Sequence, residues 1–85
     1  MPVKELSPVA KSILTLLNNA NDLIVVSNRR KDARDVIFAM KALAKEKSFE
    51  LPSEKIDNLI YNLIDCRENT LSALILDIAQ EITQK

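Results

Sequence analysis

The stretch SEKIDNLIYNLIDCRENTLSALILDIAQEITQ, residues 53–84, decides the fold. Its apolar residues Ile56, Leu59, Ile60, Leu63 and Ile64, then Leu71, Leu74, Ile75, Ile78, Ala79 and Ile82, recur at steps of three and four, so each half reads as one face of a helix. Between the halves, DCREN at 65–69 contains neither proline nor glycine, and nothing in it compels a break. One helix over 53–84 would leave much of its apolar surface without a partner within a single chain and would call for a dimer. A short turn at Asn69 and Thr70 lets the two stripes fold onto each other instead, and this is the preferred expectation.

Upstream, two more stripes complete the set. Val9, Ile13, Leu16, Leu17, Ala20, Leu23 and Ile24 mark a first helix, with Ser7 as its N-cap and Pro8 at the first helical position. The segment NNAND at 18–22 weakens it, because asparagine competes for backbone hydrogen bonds, which leaves a bend or a break open there. Ala33, Val36, Ile37, Met40, Leu43, Ala44 and Lys47 mark a second helix. Asp32 is the candidate cap, with Asp35 as a second acid in the positive first turn. Asn28 stands in for the missing glycine as a left-handed stop to the first helix. Pro52 ends the linker SFELPS, and Ser53-Glu54 opens the third helix. Short connections between amphipathic helices predict an all-α fold, an antiparallel up-down four-helix bundle, as a single domain over residues 1–85.

Composition limits the chemistry. The 85 residues hold no glycine and no histidine, so the glycine-based phosphate loops, the commonest general base and the commonest transition-metal ligand are all missing. Neither a catalytic nor a metal or cofactor site is expected. Cys66 is the only cysteine, which rules out an internal disulfide, and it reads as a half-buried filler at a helix end. No run is long and apolar enough to span a membrane, and residues 1–5 do not lead into a signal-peptide core. A cytoplasmic protein is the expectation.

Charge is unevenly laid out although the total is zero. Residues 1–47 carry nine Lys and Arg against five Asp and Glu, whereas residues 48–85 carry three against seven, balances of +4 and −4. Attraction between the two hairpins accounts for this split, as does a dipolar molecule whose basic end meets an acidic partner. The stretch SNRRKDARD at 27–35 concentrates the positive charge. Arg29, Arg30, Lys31 and Arg34 are therefore candidate contact residues. Nucleic-acid binding through this 29–34 cluster is weighed against by its two acids, a pI near 6.2 and the lack of interleaved aromatics for stacking. Apolar residues off the stripes point instead to a protein partner or a homodimer. Phe38 and Tyr61 are the candidates here, together with Val25, Val26 and Leu76.

The order NDLIVV, then RRKDARDVIFAMKALAKEKSF, then KIDNLIYNLI and a final apolar helix resembles the enterocin A-type (class IIa) bacteriocin immunity proteins. The likeness covers residues 14–64 and includes Arg34 opening the second helix, Lys41 further along it and Phe49 past its end. It implies a cytosolic four-helix bundle with antimicrobial-immunity function, acting with a membrane receptor and the bacteriocin and performing no catalysis. The family usually carries a C-terminal tail beyond the last helix, whereas this sequence stops at Lys85. A small regulatory or assembly adaptor working through helix-mediated contacts is the alternative.

Overall fold

The computed structural model describes residues 6–65 and 71–84. Four helices follow one another: α1 (Pro8–Val25), α2 (Arg30–Glu46), α3 (Ser53–Ile64) and α4 (Leu71–Thr83). Each packs on its two neighbours in a closed ring, α1 on α2, α2 on α3, α3 on α4 and α4 on α1, while the diagonal pairs do not meet among the described residues.

Lys55, near the start of α3, lies 3.2 Å from Asp77 and 2.8 Å from Glu81, both in the second half of α4. In one continuous helix Lys55 and Asp77 would stand about 33 Å apart at a rise of about 1.5 Å per residue. The second half is therefore a hairpin. The turn expected at Asn69 and Thr70, and the place expected for Cys66, lie outside the described residues. The start of α1 borders the end of α2, where Val9 and Ser12 share a recess with Leu43 and Lys47. The end of α2 likewise borders the start of α3. Neighbours thus run antiparallel, and the architecture is the up-down four-helix bundle that the patterning predicts.

The core contains Ile13, Leu17, Ile37, Met40, Ile56, Leu59, Leu71, Ile78 and Ile82, all enclosed, with Ala20, Ala33 and Ala44 where helices approach closely. No polar or charged residue is buried with them among the described residues. Each large side chain sheltered in this way contributes roughly 1.5–3 kcal/mol. Ile64 is an exception to its stripe. It was expected to face the core with Leu63 but stands 60% exposed as the last residue of α3, at the edge of a stripe whose buried members are Ile56, Leu59 and Leu63.

Helix ends explain how so compact a ring is connected without glycine. Ser7 caps α1, its Oγ accepting from the Ala10 N–H at 3.2 Å, and Pro8 takes the first helical position. The helix then runs through NNAND without the break that this weak segment left open. Ala20 and Ile24 hold the inner side of that segment in the core while Asn18 and Asn19 reach solvent, so burial overrides weak propensity. Asn28 has φ 51°, the left-handed stop foreseen for it, and the Arg29 N–H donates to the Leu23 carbonyl at 2.7 Å.

The start of α2 corrects the expected capping by Asp32. Arg29 holds the cap position, and its carbonyl accepts from the Ala33 N–H at 3.0 Å, so the helix begins two residues before Asp32 could cap it. Asp32 sits in the first turn, where its carboxylate faces the positive helix end and pairs with Arg29. Asp35 falls beyond that turn. At the other end, Ser48 adopts φ 55°; its N–H donates to the Lys45 carbonyl and the Phe49 N–H to the Ala44 carbonyl. This is a Schellman stop with serine where glycine usually stands, and Phe49 folds back against the core.

Candidate functional site

The six residues singled out from the sequence fall into two groups. Arg29, Arg30 and Lys31 stand at the α1–α2 end of the bundle, on the last residue of the connection and the first two of α2. Arg34, Phe38 and Tyr61 belong to the outer face formed by α2 and α3.

At the α1–α2 end, the Arg29 guanidinium is 2.6 Å from Asp32, an exposed pair that contributes at most about 1 kcal/mol. Arg30 is half-buried and Lys31 exposed. Between α1 and α2 at this end lies an open recess of about 580 Å³, lined by Asn19, Asp22, Leu23, Val26, Ser27 and Val36 and by none of the three cations. The Arg29 backbone is tied to the Leu23 wall of that recess by the hydrogen bond above. Val26, at its edge, is 78% exposed and Val25 beside it 61%. The corner therefore combines cations with solvent-facing aliphatic surface. The sequence reading singled out the cations and the two valines separately; that Val26 shares a recess with Val36 of α2 could not be read without the angle between α1 and α2.

On the α2–α3 face, Lys41 Nζ is 3.7 Å from Asp57 and 5.9 Å from the centre of the Phe38 ring. The Lys41–Asp57 contact joins the two halves of opposite charge and fixes the register of the two helices. Phe38 precedes Lys41 by one turn and Tyr61 follows Asp57 by one turn, so in antiparallel helices both shift toward the same end, by about 4.5 and about 6 Å. The two aromatics thus fall at about the same height along this face, 47% and 60% exposed, with Ile64 beyond Tyr61. Arg34 is two turns before Lys41, on the same side of α2 and level with Ile64.

Ile64 was missed as a surface residue because its spacing matches the core stripe. Lys45 lies with Lys41 against the start of α3, where both line a small recess of about 190 Å³ with Phe49 and Ser53.

The chain matches no protein-family model, no curated protein and no solved structure. Its surfaces must be read on their own chemistry. Among the described residues no three His, Cys, Asp or Glu side chains gather as a metal site requires, and no helix is long and apolar enough to cross a membrane. Among the described residues the one ionisable group with a clear shift is Lys55, whose pKa is raised from the ordinary lysine value by hydrogen bonds to Glu81 first and Asp77 second. It braces α3 against α4, away from both surfaces described above.

Proposed function

We propose that this is a non-catalytic, cytoplasmic binding protein, most concretely a bacteriocin immunity protein that protects a producer cell from its own pore-forming bacteriocin, and that it makes contact through its α1–α2 end. The observation that carries the reading is that Arg29, Arg30 and Lys31 open α2 shortly after the exposed Val25 and Val26, with the Arg29 N–H bound to the carbonyl of Leu23 in the wall of the recess. Cations beside exposed aliphatic side chains suit an acidic receptor loop or an anionic membrane face, the setting that the resemblance to immunity proteins implies. The four-helix bundle agrees with that resemblance.

A strain sensitive to class IIa bacteriocins, made to express this protein, tests the reading. Killing is expected to fall for at least one member of a bacteriocin panel, and the Val26→Asp, Lys31→Glu double variant is expected to lose the protection while remaining folded. Unchanged killing across the panel contradicts the immunity function. Nucleic-acid binding is the weaker reading of the same cations, since Arg29 is engaged by Asp32 and Arg34 belongs to a different surface.

A further inference from the structure

The outer stripe of α2 alongside α3 is Arg34, Phe38, Lys41 and Lys45, spaced four, three and four residues apart. That spacing keeps all four on one side of the helix. The outer stripe of α3 is Glu54, Asp57, Tyr61 and Asp65, spaced three, four and four. One stripe is cationic around a phenylalanine and the other anionic around a tyrosine. In the register set by Lys41 and Asp57, Lys45 is level with Glu54, Phe38 with Tyr61 and Arg34 with Asp65.

We infer that this face is self-complementary and that its occupant is a second copy of the chain, bound about a two-fold axis parallel to the helices. Such an axis sets α2 of one copy opposite α3 of the other and keeps every residue at its own height. Phe38 then meets the partner's Tyr61, and the cations of each α2 meet the acids of the partner's α3, twice over by symmetry. A two-fold axis across the helices would instead set the cationic stripe against its own copy, which like-charge repulsion disfavours. The face is about 18 Å long and about 20 Å wide from helix dimensions, which suits a weak dimer in place of an obligate one. It leaves the α1–α2 corner open, so the dimer does not depend on the immunity reading.

Sedimentation of the intact protein from about 10 µM to about 1 mM, the range of weak interfaces, tests this. The weight-average mass is expected to rise from 9.6 kDa toward twice that value. Two charge-reversed variants sharpen the result. Arg34→Glu with Lys45→Glu leaves Lys41 as the one cation of the α2 stripe and makes both stripes net acidic, and Glu54→Lys with Asp57→Lys makes both net basic. Each alone should self-associate at least about tenfold more weakly than the native chain, and an equimolar mixture should recover association, because the two are then complementary. Recovery on mixing also shows that both variants are folded. A native chain that stays monomeric throughout, or variants that dimerise alone as tightly as the native chain, would overturn the proposal. No bacteriocin enters this measurement, so its failure is distinct from failure of the immunity function.

Discussion

Lys41 on α2 reaches Asp57 on α3 at 3.7 Å, and this contact ties the basic half of the chain to the acidic half. Both side chains are substantially exposed, at 41% and 71%, so the pair serves as a marker of register more than as a source of stability. Asp57→Asn should change the free energy of unfolding by less than about 1 kcal/mol in urea titrations. A loss well above that would mean that the α2–α3 seam rests on this pair and not on Ile37, Met40, Ile56 and Leu59 beneath it.

Lys55 provides the pH-dependent contact. Glu81 and Asp77 raise its folded pKa, so the folded chain holds that proton more tightly than the unfolded chain does. The stabilisation is complete below the ordinary lysine pKa and disappears as pH rises through the higher folded value. Following the side-chain resonances next to the Lys55 nitrogen by NMR at alkaline pH should show a midpoint above that of a denatured reference, moving down in Glu81→Gln. Equal midpoints in the native protein and the variant would contradict the brace.

Ser48 is held at φ 55° without the freedom of glycine. Replacing it by glycine removes the Cβ penalty in the left-handed region, and Ser48→Gly should stabilise the bundle by about 0.5–1 kcal/mol, seen as a higher melting temperature. Ser48→Val should do the reverse, since a β-branched side chain tolerates that conformation least.

Leu17, inside α1, and Val26, just past its end, should respond very differently. Leu17 is fully enclosed, so Leu17→Ala should cost about 2–5 kcal/mol, much of the total stability expected of a domain this small. Val26 is 78% exposed, and Val26→Ala should stay within about 0.5 kcal/mol in the same denaturation experiment. Comparable losses at the two positions would mean that α1 is turned differently about its axis.

What could be read from the chain was what each helix decides alone. The stripes and the Ser7-Pro8 start follow from one element's own geometry, as does the Asn28 stop. Ser48 was not legible, because serine has no special liking for the left-handed region and is placed there by the packing of Phe49 behind it. The cap at Arg29 escaped notice for a related reason: arginine offers no capping side chain, and it takes the position because Asn28 turns the chain so early. The partnership of Phe38 and Tyr61 depends on the register between α2 and α3, which no single-helix pattern contains. Ile64 shows the limit from the other side, since correct spacing does not bury a residue at the edge of its stripe.

The direct test of the α2–α3 face is an isotope-filtered NMR experiment on an equimolar mixture of labelled and unlabelled protein at millimolar concentration. Contacts between the Phe38 ring of a labelled chain and the Tyr61 ring of an unlabelled one are the expected result. Phe38–Tyr61 contacts confined to the same chain, with none passing the filter, would contradict a self-complementary face.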